Sequence, residues 1–311
     1  MNFSTKILIL SVAGLFTIAG AIWGLNYVRK NYIEKNQFSG STKQEAMDSL
    51  DTIKTLFENK DSLNILLLGI SGETYTSGDL TDSIIFASLN FKNNKIDLVS
   101  IPRDLWVKSE QGNFQKINEL YRVSGGTEKP NAVSAEQIKL KTQEILGQNI
   151  QHIAVINLDG IKSMVDLIGG VDTDEGHLNG EQALFYIRDR SRPGSDFDRM
   201  KRQQKLIMAI IDTITKQQDT LLANQETVMS LFNLLDENLD MDISFIEIFT
   251  LSSKFKNVDT ENIGLHTITT NNLLQEEYRD INGQSIYILY PKVGEENYTE
   301  INNFVDEIIN S

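Results

Sequence analysis

The sequence predicts an α/β sandwich folded as one domain behind an apolar N-terminal segment. Two observations carry this. Short β-rich apolar runs alternate with helix-period stretches from residue 63 to 311, and that alternation is the mark of an α/β layer architecture. Ahead of them, Ile7 to Val28 contains no charged residue and exceeds the ~20 residues needed to cross a bilayer core.

The expected organisation is a short tail at 1–6, a transmembrane anchor at 7–28, a stalk or linker at 29–62, and a folded domain at 63–311. Ala19-Gly20-Ala21 has the small-x-small form of a signal-peptide cleavage site, but Ile22-Trp23-Gly24-Leu25 carries the apolar run past it. An uncleaved single span is therefore expected. Lys6 before the span, against Arg29, Lys30 and Lys35 after it, is too small a charge bias to fix orientation. In the linker, Met47, Leu50, Ile53 and Phe57 recur at helical spacing.

Within the domain, Asn64 to Gly69 is an apolar run of the kind buried on both faces of a sheet. A polar loop follows from Ser71 to Thr81. Ser83–Phe91 and Lys95–Ile101 read as two strands joined at Lys92-Asn93-Asn94, and Pro102 stops the second. Ala135–Leu146 is a helix closed by Gly147, His152–Asn157 a strand, and Ile161–Ile168 a helix ended by Gly169-Gly170. A long helix is expected from about Asp198 to Lys216. Ile286–Tyr290 is a strand, and Ile301, Phe304, Val305 and Ile308 line a last helix.

Composition narrows function. The chain has 43 acidic against 29 basic side chains and a formal charge of −14, which disfavours nucleic acid as a partner. Cysteine is absent and there are 3 histidines, so thiolate chemistry is excluded and a histidine-rich metal centre disfavoured. No Gly-Lys-Ser/Thr phosphate loop and no Gly-x-Gly-x-x-Gly is present, which disfavours nucleotides. Gly69-Ile70-Ser71-Gly72 fails as a nucleophile elbow, because Glu73 stands where that motif needs glycine.

Against the acidic background, Arg188, Arg190, Arg192, Arg199 and Arg202 crowd one short segment. Guanidinium forks grip phosphate or carboxylate oxygens through two donors, so an oxyanion clamp is one reading. A solvated, charged helix start is the other. Arg188 and Arg190, two apart, would share a side of an extended segment. Arg199, Arg202 and Gln203 fall on one face of a helix's first turn, where free backbone N–H groups favour an anion. Asp82, preceded by Asp79, sits at a strand edge and could hold a divalent ion against a phosphate or simply cap a turn. Arg103-Asp104 lies at a strand's C-terminal end, where open α/β sheets place ligands. Lys116-Ile-Asn118 is expected in a loop before a helix.

In order and spacing these stretches resemble the LytR-CpsA-Psr family of bacterial cell-envelope enzymes. The matching segments are Asn64–Gly69, Thr81-Asp82-Ser83, Ser100-Ile-Pro-Arg-Asp104, Lys116-Ile-Asn118, Leu167–Val171, Leu178–Arg190 and Asp196–Gln204. The resemblance implies an α/β/α sandwich with a central mixed sheet enclosing a hydrophobic lipid pocket, anchored in the cell membrane with its catalytic domain outside. It implies a phosphotransferase that moves a glycopolymer from a polyprenyl-diphosphate carrier to peptidoglycan, at the N-acetylmuramic acid 6-hydroxyl. It matches Arg103, Arg188, Arg190, Arg199 and Gln203 to a pyrophosphate clamp, Asp82 to a Mg2+ ligand and Lys116 to a head-group contact. Asp104 and Arg202 would support them.

Two departures stand out. Ile70-Ser71 replaces an acidic residue that family members carry after the first strand's glycine, and the stretch from Val171 to Leu178 is short. A non-catalytic binder of polyprenyl diphosphates and a diphosphate hydrolase remain as alternatives.

Overall fold

In the computed structural model, residues 61–71, 80–121, 135–189, 196–223, 225–243 and 262–311 are described. The expected span and nearly all of the linker lie outside them. Among the described residues no helix is long and apolar enough to cross a membrane.

The chain opens with β1 (Ser62–Ile70), β2 (Thr81–Asn90) and β3 (Lys95–Ser100), then a small hairpin of β4 (Trp106–Lys108) and β5 (Phe114–Lys116) running into a 3-10 turn (Ile117–Leu120). Next come α1 (Glu136–Leu146), β6 (His152–Asn157), α2 (Leu158–Leu167), β7 (Val171–Thr173), β8 (Gly176–Leu178) and α3 (Gly180–Arg188). The long α4 (Asp196–Ala223) leads to α5 (Gln225–Asn238) and β9 (Leu239–Met241). β10 (Ile263–Thr267), β11 (Leu274–Ile281), β12 (Gln284–Pro291) and α6 (Thr299–Asn310) complete the domain.

Six strands form one mixed sheet in the order β10-β3-β2-β1-β6-β9. β1 is antiparallel to β2 and parallel to β6, and it is buried along both faces as its apolar run requires. One face carries Leu66, Leu68, Phe86 and Val99 and is covered by Ile138 and Ile145 of α1 and by Ile301 and Val305 of α6. The other carries Leu63, Ile65 and Leu67 of β1, with Ile85 and Leu98 beside them, and is covered by Ile207 and Ile211 of α4. Helices on both faces make the expected three layers. Each fully buried leucine here contributes about 2–3 kcal/mol.

Several boundaries move outward. α2 begins at Leu158 because the Asn157 side chain accepts from the Gly160 N–H and caps the helix there. α4 runs past Lys216 to Ala223, with Asp196 and Asp198 in its first turn to complement the dipole. β11 is an unanticipated strand, returned by Asn282 and Gly283, both at positive φ, into β12. α1 ends on Gly147 at φ 68, as expected.

Candidate functional site

The sheet topology brings three strand ends to one edge. β2 runs against β1 and β3, so its start lies beside their C-terminal ends. Gly69 pairs with Ser83 and Ile70 with Thr81, which leaves Asp82 as the extra residue of a β-bulge. A bulge re-aims a side chain out of the ladder, and here it turns Asp82 toward Pro102-Arg103-Asp104 at the end of β3. Gly69 fits closely beside it, since a Cβ there would stand 3.1 Å from that of Ser83.

Arg103 sits among three carboxylates. Its Nη1 donates to Asp82 Oδ1 at 2.6 Å, its Nη2 lies 3.6 Å from Asp196 Oδ1, and its Nε lies 3.9 Å from Asp104 Oδ2. That Nε is buried and has no hydrogen-bond partner among the described residues. Lys116 binds the other oxygen of Asp104 at 2.5 Å. Arg199, 4% exposed, pairs with Asp196 at 2.6 Å and reaches the Asp82 carbonyl at 3.4 Å. The site is an alternating set of Arg103, Arg199 and Lys116 with Asp82, Asp104 and Asp196.

Asp196 was not singled out as a site residue from the sequence. Its position three residues before Arg199 on a helix start was the available signal. Ser71 is 1% exposed and its hydroxyl donates to Asp82 Oδ2 at 2.5 Å. A neutral hydroxyl thus occupies the place where a second carboxylate was expected.

Two expectations need correction. Arg188 is not in an extended segment; it is the last residue of α3, because a hydrogen bond from Asp189 N–H to the Phe185 carbonyl keeps the helix closed to that point. Lys116 is not in a loop but ends β5, paired with Trp106. Arg202, expected as a supporting residue, donates its guanidinium to the carbonyls of Tyr186 at 2.8 Å and Asp189 at 2.7 Å, tying the end of α3 to α4. Arg190 and Arg192 lie outside the described residues, as do Glu73 and Asp79.

Behind this polar rim runs a narrow apolar cleft, partly open to solvent. It lies between the sheet face of Leu67, Ile85 and Ala154 and the helices that present Met164, Ile187 and Ile210. Asp82 and Gln203 line its mouth. The short Val171–Leu178 stretch folds as the β7–β8 hairpin, closed by His177 on Asp172 at 2.8 Å. That hydrogen bond holds the His177 ring above its ordinary pKa.

No group of three or more His, Asp or Glu able to hold a metal occurs among the described residues. Mg2+ commonly takes one or two carboxylates, keeps waters and shares substrate phosphates. Asp82 and the Ser71 hydroxyl are hard oxygen donors that fit an ion of that kind only with phosphate oxygens as co-ligands.

An apolar cleft thus adjoins a rim of alternating cations and carboxylates on a three-layered α/β fold. The LytR_cpsA_psr (LytR-CpsA-Psr) family model matches residues 25–176 and 172–302, and the chain belongs to that family. The chain is 28% identical over 272 residues to the polyisoprenyl-teichoic acid–peptidoglycan teichoic acid transferase TagU of Bacillus cereus, covering 80% of this chain and 82% of that one. The TagU of Oceanobacillus iheyensis is 26% identical, covering 83% and 84%. Among solved structures, B. subtilis TagV superposes with a TM-score of 0.60 at 25% identity, covering 81% of this chain and 98% of that one. TagT bound to LIIa-WTA shares the fold, with a TM-score of 0.57 at 21% identity and coverage of 81% and 91%.

Proposed function

We propose that the protein is a membrane-anchored phosphotransferase, its domain on the extracytoplasmic side. It takes a glycopolymer from a polyprenyl-diphosphate carrier and joins it to a peptidoglycan hydroxyl, that of the N-acetylmuramic acid 6-position. The observation that carries this is the continuity of the apolar cleft with the Arg103–Asp82–Arg199 rim through Asp82 and Gln203. A diphosphate at the rim would leave its isoprenoid chain in the cleft. The transferase names of relatives at 26–28% identity agree with it.

In the reaction, the acceptor hydroxyl oxygen bonds to the sugar-bearing phosphorus as the bridging P–O bond breaks. The electron pair of that bond leaves with polyprenyl phosphate. The hydroxyl proton passes to a carboxylate of the rim, and we assign it to Asp104. Both oxygens of Asp82 accept close hydrogen bonds, whereas Asp104 Oδ2 has Arg103 Nε only at 3.9 Å. Arg103, Arg199 and Lys116 stabilise charge on the transferred and departing phosphates, with Arg188 and Arg190 as further clamp residues. When bound, Mg2+ would neutralise diphosphate charge, held by Asp82 together with phosphate oxygens.

The test is to give the full chain a lipid-diphosphate-linked glycopolymer with and without peptidoglycan, in Mg2+ or chelator. Polyprenyl phosphate release that needs both acceptor and Mg2+, and that is lost in Arg188→Ala, is expected. Retention of lipid without release would make the protein a binder, and release without acceptor would make it a diphosphate hydrolase.

A further inference from the structure

The β11–β12 hairpin is docked against the anion site and takes no part in the chemistry above. The Leu289 N–H donates to the Asp104 carbonyl at 3.0 Å, and Leu105 and Leu289 form a parallel bridge. Tyr287, two residues before Leu289, also lies within reach of the Asp104 charge. Tyr287 is the direct cross-strand partner of Tyr278, with ring centroids 5.3 Å apart and planes at 61°. Its hydroxyl donates to Glu276 Oε2 at 2.9 Å, leaving Oε1 as an acceptor. Burial first, then the Glu276 hydrogen bond and the negative charges of Glu276 and Asp104, hold the Tyr287 phenol well above its usual pKa, so it remains a donor.

Tyr278 is 72% exposed, the most exposed of the large hydrophobic side chains among the described residues. Tyr278 thus offers solvent an apolar ring face next to the Tyr287 hydroxyl and the Glu276 carboxylate, a surface suited to a ligand with an apolar face and polar edges. A pyranose ring has that form: its C–H face lies on an aromatic ring and its hydroxyls find acceptors at the edge.

The position selects which sugar. In-line displacement places the attacking and leaving oxygens on opposite sides of the phosphorus. The cleft that would hold the departing lipid lies against the sheet face of Leu67, Ile85 and Ala154. Leu105, Leu274 and Leu289, which seat the hairpin, belong to the core of the opposite face, with Leu66, Phe86 and Val99. The attacking hydroxyl therefore enters on the hairpin side.

We propose that Tyr278, Tyr287 and Glu276 form the platform for the acceptor glycan, an N-acetylhexosamine strand whose pyranose ring stacks on Tyr278 and donates a hydroxyl to Glu276. This rests on the transfer reading for its direction of attack. The platform holds the ring while its free hydroxyl reaches toward Arg103 and Asp104.

The test uses the full chain in detergent with soluble glycan fragments of peptidoglycan as probe. Tyr278→Ala should weaken fragment binding, read by titration NMR, and raise the acceptor KM by about tenfold, with donor KM and Tm unchanged. Tyr278→Trp should restore both, which a merely structural role for the ring would not require. Fragment affinity and acceptor KM within about twofold of wild type in Tyr278→Ala would overturn the platform while leaving the transfer reading intact. Fragment binding that depends on Tyr278 in a protein that never transfers would uphold the platform and sink the transfer reading instead.

Discussion

Arg103 contacts all three site carboxylates, so its loss should be felt in chemistry more than in folding. Arg103→Ala is expected to reduce glycopolymer transfer by about 10²- to 10³-fold, the usual scale for one preorganised charge-stabilising donor. Arg103→Lys should recover little, because a point charge cannot span Asp82 and Asp196 while facing a phosphate. Single-turnover release of polyprenyl phosphate, with circular dichroism as the folding control, reads this directly. Ser71 sets a second expectation. Its hydroxyl rather than a carboxylate meets Asp82, so Ser71→Asp should tighten Mg2+ binding to the full chain with bound diphosphate by about tenfold, seen by calorimetry. Without metal the same change should lower Tm, since two carboxylates would then face each other. An unchanged Mg2+ affinity would mean that the ion is not held at Asp82.

At the scale of elements, α3 is held at both ends. Asn179 and Gln182 form a reciprocal capping box, and the Gly180 N–H donates to Asp166 at 2.7 Å. A Cβ on Gly180 would lie 2.2 Å from the Lys162 carbonyl, so only glycine lets α2 and α3 meet this closely. Arg202 holds the other end, and Arg202→Met should cost about 1–2 kcal/mol and speed amide exchange at residues 186–189. Asp174 ties the β7–β8 turn to Tyr186 of α3 and Lys205 of α4. The Lys205 hydrogen bond first, then that of Tyr186, lowers the Asp174 pKa from 3.8. A depressed carboxyl stabilises above its unfolded value and loses that contribution as pH falls through the folded one. The stability gap between wild type and Asp174→Asn should thus be under ~1 kcal/mol at neutral pH, because the pair is half exposed, and should close below pH 3.8. Urea denaturation at two pH values measures it. These elements also show what the sequence could reveal. The apolar run of β1 and the Gly147 stop of α1 were legible because each is a local signal. β11 escaped because Glu276, Glu277, Arg279 and Asp280 hide its period, although Asn282-Gly283 marked the turn. Arg188 was misplaced because the helix that contains it is fixed by packing on α2 and α4, which no local pattern encodes.

For the whole molecule, the proposed donor would have to meet two environments made by distant parts of the chain. Arg103, Asp82 and Lys116 were legible as residues, but the bulge that aims Asp82 and the pairing with Asp196 follow from strand register and helix placement. The cleft was not legible residue by residue at all. Its walls come from β1, β2, β6, β9, α2, α3 and α4, and each apolar lining side chain reads locally as ordinary core. If the cleft holds an isoprenoid chain, affinity should grow with chain length and carry a negative heat-capacity change from apolar burial. If it is only imperfect packing, diphosphates of every chain length should bind alike at the rim. Ala154→Phe separates the two. Ala154 is 5% exposed and lines the cleft, so the added ring would take up ligand space, and an unchanged fold is checked by circular dichroism. Long-chain polyprenyl diphosphate should bind about tenfold or more weakly to this variant, while a short water-soluble diphosphate binds as to wild type. Equal weakening of both ligands would place the lipid elsewhere, and no weakening of either would leave the cleft without a role in donor binding.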